Sequence, residues 1–376
     1  MQKTIIETMK EVTDYRKGNA IRHILSDILM IGLLTILCNG NDYAAMYIFG
    51  KKHEEILRSF LELPFGIPSQ DTFERVFSKL NPKMLARHFL GWLDEINDAI
   101  KSYTTVSIDG KTIRRSRSEG KKAVHIVTAF ASELQLVLGQ LSTDEKSNEI
   151  TAIPKLLEMF CRKGMVITID AMGTQTAIAE KIIGLGGNYV LALKGNQKLL
   201  LNDVSLFLTN EVMTQDKKTL RANGQYERTV EKGHGRIETR ECFISYDIGW
   251  LDGRTDWAGL SGIGVILSKR EIIGKEPEYN QHFFIFSLKG ATASEILRIN
   301  RSHWAIENNL HWMLDVLFRE DDSRARTEDA AENLNILRKQ ALQLMKRDDS
   351  FKASLRTKRL CCAWDIFYAL KIIGVK

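Results

Sequence analysis

Proline is scarce, with 5 residues in a chain of 376, so long disordered linkers are not expected. Cysteine is scarce too. Cys38, Cys161, Cys242, Cys361 and Cys362 make an odd count, none stands in a Cys-x-x-Cys pair, and two are adjacent. That pattern suits neither a zinc knuckle nor a disulfide framework, and a reducing cytosol is its natural setting. Long apolar runs are missing. The most apolar stretch, Ile28–Leu37, has 10 residues, about half of what a membrane span needs. Ser26 and Asp27 precede it as helix caps, so it reads as a buried core helix. The start, Met-Gln-Lys-Thr, lacks the apolar centre of a signal peptide. Repeats and low-complexity tracts are absent. A cytoplasmic protein with no membrane partner is expected.

The chain is long enough for two or three domains, and 44% hydrophobic with 27% charged residues is an ordinary soluble composition. The net charge of +6 suits a polyanionic partner. Its distribution says more. Lys111–Lys122 holds six basic side chains against Glu119 alone, and Arg338–Arg359 holds eight against Asp348 and Asp349. Either run reads equally well as a solvated helix face.

Residues 1–100 read as a helical domain, with apolar spacing over Leu25–Leu37, Asp42–Phe60, Gln70–Leu80 and Pro82–Ile100. Near Tyr103 the texture changes. Thr104–Asp109, Ala123–Ala131, Leu134–Leu141, Met165–Asp170 and Asn188–Lys194 read as strands, with helices over Asn148–Cys161 and Thr174–Ile183. The order β-β-β-α-β-α-β predicts an α/β domain over 101–345 with a mixed sheet flanked by helices. A β-rich insertion interrupts it at about 200–290. A strong helix runs from Ala293 to about Val316, and 346–376 reads as a basic helical segment.

Asp109 and Asp170 each close a predicted strand, beside Gly110 and Gly173. Carboxyl ends of neighbouring strands open onto a crevice in such sheets. Two carboxylates there repel each other unless a cation lies between them, and hard oxygen donors favour Mg²⁺ or Mn²⁺. A lone Asp at a strand end is more often a turn cap; two in this order favour the metal. A third ligand is sought on the helix Asn300–Asp315, where His303, Glu307 and His311 share one face. Eight residues of helix span roughly 12 Å, too far for a His-Glu-His zinc site. Glu307 as ligand, with His303 or His311 touching a phosphate, is the simpler arrangement, and Trp304, Leu310 and Leu314 are expected to pack the helix on the sheet. Lys111, Arg114, Arg115 and Arg117 follow Asp109 and suit phosphates. Lys194 and Asn196 open on the same edge. Arg236, Glu238 and Arg240 alternate on one strand face, as DNA contacts or as a salt-bridged surface. Glu149 is an outside candidate for a further carboxylate, though a first-turn helix acid is the plainer reading.

Five features in order carry a resemblance: Ile-Asp-Gly-Lys at 108–111, Asp-Ala-Met-Gly-Thr-Gln at 170–175, Leu-Lys-Gly-Asn-Gln at 193–197, the β-rich insertion, and the His-Trp-x-Ile-Glu-Asn-x-Leu-His-Trp helix at 303–312; Gly66–Val76 near the N-terminus belongs to the same resemblance. Nearly the whole chain resembles the DDE transposases of bacterial insertion sequences, most closely those associated with the H repeats of Rhs elements. The resemblance implies a ribonuclease-H-like core and carries over Asp109, Asp170 and Glu307 as catalytic residues holding two Mg²⁺ or Mn²⁺ ions. One ion would activate water or a DNA 3′-hydroxyl, and the other would stabilise the departing oxygen. It further implies double-stranded DNA as partner, a homodimer on paired DNA ends, a nucleoid setting, and DNA-end binding by the N-terminal helices. Related transposases with a β-insertion often carry Tyr, Arg and Lys around the Glu; here Asn300, His303 and Leu314 stand in those places, so the roles of those side chains do not transfer. A nuclease that hydrolyses without joining and an inactive DNA-binding remnant are the competing readings.

Overall fold

The computed structural model describes residues 4–18, 21–96, 104–117, 120, 122–143, 149–233 and 235–375. The ends of the helix expected over Pro82–Ile100 and of that over Asn148–Cys161, with Lys121 and Glu119 of the first basic run, fall outside the described residues.

Nine strands form one mixed sheet: β1 (Thr105–Thr112), β2 (His125–Ala131), β3 (Leu136–Thr143), β4 (Val166–Ile169), β5 (Asn188–Leu193), β6 (Tyr226–Gly233), β7 (Arg236–Ser245), β8 (Gly262–Ile272) and β9 (Glu278–Phe286). Their order is β3-β2-β1-β4-β5-β9-β8-β7-β6. β1, β2 and β3 pair antiparallel, whereas β4 joins β1 and β5 joins β4 in parallel through the helices Glu149–Phe160 and Thr176–Gly184. This is the ribonuclease-H-like arrangement. The insertion does not stand apart. It begins with the helices Lys198–Phe207 and Lys217–Ala222, and its four strands continue the same sheet, β9 pairing antiparallel with β5. The strand β6 was not expected from the sequence, because Tyr226–Gly233 carries Glu, Arg or Lys at four of its eight positions and lies largely exposed.

The N-terminal helices share one apolar cluster with the sheet, running from Leu29 and Phe77 through Leu337 to Phe130 and Ile167. At its centre the helix Leu25–Leu37 is buried at every residue. It starts at Leu25, so Ser26 and Asp27 do not cap it; the Asp27 carboxylate instead accepts the Leu63 N–H at 2.9 Å. The helix expected over Asp42–Phe60 breaks at His53 into Tyr43–Lys52 and Glu54–Leu57.

The second basic run is not a solvated face. Arg338 and Lys339 lie within the buried stretch of the helix Ala330–Arg347, and Lys358 and Arg359 are buried as well. Burial is tolerated because polar partners meet them. Lys358 donates to the Met345 carbonyl, Arg359 donates to the Ile36 carbonyl, Lys339 Nζ donates to Thr128 Oγ1 and Gln140 Oε1, both at 2.8 Å, and Arg338 has the Glu320 carboxylate 3.9 Å away.

Burial lowers the Lys339 pKa to about 7, far under its ordinary value. Between that pH and the ordinary lysine range the unfolded chain binds the proton that the folded one refuses, so this group adds stability as pH rises and costs stability as pH falls toward 7. The urea midpoint of the native chain is expected to rise more steeply between pH 7 and 9.5 than that of Lys339→Met. Parallel midpoint curves would show that the ammonium is not desolvated.

Candidate active site

In the parallel pair β1–β4, Ile108 stands opposite Ile169. Asp109 and Asp170 are the next residues on each strand, where the two strands part. β1 does not end at Asp109, as expected; it runs to Thr112, still paired with β2. Asp170 starts a short turn, and its carboxylate accepts the Gly173 N–H at 3.2 Å, so it is also a cap. Gly110 is a close-approach glycine. A Cβ there would lie 2.4 Å from both Glu149 Oε1 and His125 Nε2. Glu149 is a buried first-turn acid bonded to that histidine at 2.6 Å, beside Asp109 but outside its donor cluster.

The third carboxylate arrives on the helix Ala293–Ile306, whose capping box is formed by Thr292 and Glu295. Small hydroxyl residues let it approach the sheet. Ser107 and Ser132 both donate to the Ser302 carbonyl, at 3.2 and 2.9 Å, and Thr168 Oγ1 lies 3.2 Å from His303 Nδ1. Beyond Ile306 the helix widens into a π turn, Glu307–His311, closed by the Trp312 N–H on the Glu307 carbonyl, before Trp312–Val316 resumes the α form. Such turns often mark functional positions. Lys346 Nζ holds this turn from behind, donating to the Asn309 carbonyl at 2.7 Å.

The π turn brings His311 into the cluster. Its Nδ1 lies 3.2 Å from Glu307 Oε2 and 3.5 Å from Asp109 Oδ2, and donor atoms of Asp109, Glu307 and His311 all fall within 4.8 Å of one another. Asp170 is not in that group, but it lines the same cavity of about 230 Å³ with Asp109, Glu307, Lys194, His282 and His303. Burial raises the Asp109 pKa to about 6, helped by Asp170 and Glu149 and opposed by His311 and the Gly110 N–H. The hydrogen bond from His311 lowers that of Glu307. Burial pushes His303 and His282 down to about 4, so both rings are neutral at physiological pH.

A transposase DDE domain model matches residues 100–344, and a DDE_Tnp_1-associated model matches residues 6–93. The chain belongs to the DDE transposase family. It is 36% identical over 381 residues to the H repeat-associated putative transposase YhhI of Escherichia coli K12, covering 99% of this chain and 98% of that one. Putative transposase YncI of Escherichia coli O157:H7 is 35% identical over 375 residues, covering 99% and 94%. A piggyBac transposase synaptic complex with hairpin DNA aligns at a TM-score of 0.42 and 10% identity over 98% of this chain and 76% of that one. Among the described residues no helix is long and apolar enough to cross a membrane.

Several side chains expected to meet DNA in this transposase have protein partners. Lys111 turns inward, its ammonium bonded to Asp315 and, at 2.7 Å, to the fully buried Glu320. It is the counter-ion of a buried acid rather than an exposed phosphate ligand. Arg114 and Arg115 lie on the surface, 3.3 Å from Asp321 and 3.5 Å from Asp322. Asn196 donates to the Ala171 carbonyl at 2.5 Å, joining the loops after β4 and β5. Lys194 is exposed at the cavity rim. Arg236 pairs with Glu238 at 3.0 Å on the insertion face, and Arg240 pairs with Glu231 and Glu238. His311 faces carboxylates and His303 faces Thr168, so neither ring is directed outward as a phosphate contact. Leu310 and Leu314 are buried as expected, but Trp304 is 63% exposed. His282, Glu320 and Lys346 give no motif signal; only the fold assembles them around the site.

Removing one partner of a buried ion pair typically costs roughly 3–5 kcal/mol. Lys111→Met is therefore expected to destabilise the transposase by about 3 kcal/mol in urea unfolding, since Arg338 remains 3.9 Å from Glu320. Arg114→Ala, at a site 81% exposed, is expected to change stability little. Equal small effects of both substitutions would contradict the buried role of Lys111.

Proposed function

We propose that this transposase cleaves DNA strands and joins their 3′ ends to target DNA, with Asp109, Asp170 and Glu307 holding two divalent cations. The observation that carries the reading is that two strand-borne aspartates and one helix-borne glutamate line a single cavity. The fit of a cation to these residues is tested by the donor set itself. Carboxylate oxygens of Asp109 and Glu307 converge with a nitrogen of His311 where burial makes Asp109 hard to ionise. When bound, hard divalent ions would lower the pKa of the attacking hydroxyl and neutralise charge on the departing oxygen.

The remaining work falls to the chain's own groups. Asp109, on a strand paired along both sides, and Asp170, tied to the Gly173 N–H, are held in fixed positions. Glu307 is more exposed and stands on the docked helix. Lys194 presents a cation at the rim, where a scissile strand would enter. The neutral rings of His282 and His303 line the cavity without competing for the carboxylates. No Ser or Tyr nucleophile is required, because the attacking group is water or a DNA 3′-hydroxyl. Double-stranded DNA, as element ends and target, is the proposed partner, and a homodimer would hold two ends together.

With DNA carrying the terminal repeats of the element and Mg²⁺ or Mn²⁺, the native chain is expected to nick the ends and yield joined products longer than the substrate. Asp109→Asn, Asp170→Asn and Glu307→Gln are each expected to reduce both reactions by roughly a thousandfold or more. Undiminished cleavage by Asp170→Asn would overturn the proposal. Cleavage without longer products from pre-cut 3′-hydroxyl ends would leave a nuclease that does not join.

A further inference from the structure

We infer that His311 is a nitrogen ligand of the cation held by Asp109 and Glu307, and that this ligand biases the site toward Mn²⁺ over Mg²⁺. The inference rests on the carboxylate site proposed above and adds the identity of one of its donors and of the metal it favours.

Three observations carry it. First, the donor cluster is specific: atoms of Asp109, Glu307 and His311 lie within 4.8 Å of one another, while Asp170 is outside the group. Second, His311 is only 4% exposed, and its Nε2 has no hydrogen-bond partner among the described residues. The carboxylates of Asp109 and Glu307 are thus the polar groups this imidazole addresses, through Nδ1. Third, a ring proton does not account for both contacts. The separation from Glu307 Oε2 is 3.2 Å, but that from Asp109 Oδ2 is 3.5 Å, too long for a normal hydrogen bond. One ring proton therefore serves Glu307 and leaves Asp109 without a hydrogen bond from the ring, whereas a cation between the three groups would be met by all of them.

The π turn makes this possible. Glu307 and His311 stand at its two ends, so one widened turn supplies two donors to a third on β1. His303, one turn earlier, is engaged with Thr168 and is not a member of the set. The chemistry follows from the ligand type. Mg²⁺ holds to oxygen donors and keeps its water, whereas Mn²⁺ accepts imidazole more readily. A site with two carboxylates and one imidazole is therefore expected to discriminate, and its donor set differs from one in which carboxylates alone do the holding.

The test is spectroscopic and needs no turnover. Full-length protein is loaded with less than one equivalent of Mn²⁺ and its electron spin-echo envelope modulation is recorded. The native chain is expected to show modulation from directly bound nitrogen, which changes character when histidine is labelled with the heavier nitrogen isotope. His311→Gln is expected to bind Mn²⁺ about tenfold or more weakly, without nitrogen modulation. Its Mg²⁺ affinity, from competition, is expected to fall less. Bound Mn²⁺ with no nitrogen modulation in the native chain, or unchanged modulation in His311→Gln, overturns the inference and leaves the carboxylate site standing. Mn²⁺ binding that survives Asp109→Asn, or no Mn²⁺ binding by the native chain, removes the carboxylate site and the inference with it.

Discussion

Two carboxylates set side by side on neighbouring parallel strands create the constraint that the rest of this molecule serves. The register that opposes Ile108 to Ile169 leaves Asp109 and Asp170 at the same level of the sheet. Both acids line one cavity, and a cation there would relieve their mutual repulsion. Asp109 is already hard to ionise, its pKa raised to about 6 by burial first and by Asp170 and Glu149 after it. A flexible loop would relieve such a pair by swinging one acid away. Here Asp109 stays paired with Thr128 of β2, the close approach at Gly110 leaves no room beside Glu149 and His125, and Asp170 is tied to the Gly173 N–H, so neither acid swings away freely.

The helix bearing Glu307 must then come close without filling the space between the acids. Ser107, Ser132 and Thr168 solve this by being small and polar: they bond the helix backbone and His303 where larger apolar residues would hold the helix off the sheet. At its far end the helix is anchored through Asp315 to Lys111, and Lys111 continues to Glu320, Asn335 and Arg338. Arg338 reaches the turn at Asn41 in the N-terminal helices. Buried charges of this kind add little net stability, but breaking one leaves its partner stranded. Their effect is to make a misplaced helix costly, which a purely apolar contact would not do as sharply.

Much of this was legible in the sequence for identifiable reasons. The strands of the core are short runs of β-branched and aromatic residues bounded by turn residues, and their alternation with helical patterns dictates parallel crossovers. Asp109, Asp170 and Glu307 could be singled out because a strand end and a helix face are local features. What escaped is nonlocal. Basic residues of the helix Ala330–Arg347 look solvated because their partners, Thr128, Gln140 and Glu320, lie far away along the chain. Lys111 looks like a phosphate ligand for the same reason. The charged strand β6 carries no apolar alternation, since it is the outermost strand of the sheet with little to cover it. His311 was read on the Glu307 face as a phosphate contact, because only the fold shows its ring turned toward Asp109.

The insertion shows how an element added to one edge can shape a site at the centre. Because β9 pairs directly with β5, the four added strands inherit the twist of the core and project beside the helix that bears Glu307. A groove of about 820 Å³ forms between them and meets the inner cavity at Asn300, Trp304 and His282. Arg301 on the helix pairs with Glu231 on β6, and Glu231 pairs again with Arg240. These bridges tie the insertion to the helix, so the outermost strand of the sheet constrains the element that delivers the third carboxylate. They also consume the cationic character that an alternating run of arginines implies. Five Lys and Arg side chains line the groove against three Glu, so its positive charge is reduced but not removed, and Trp304, which a plain amphipathic reading assigns to the core, stands exposed at the junction between groove and cavity. A polyanion drawn toward this face would meet the groove's remaining positive charge first and the cation of Lys194 at the cavity rim, beside the carboxylates.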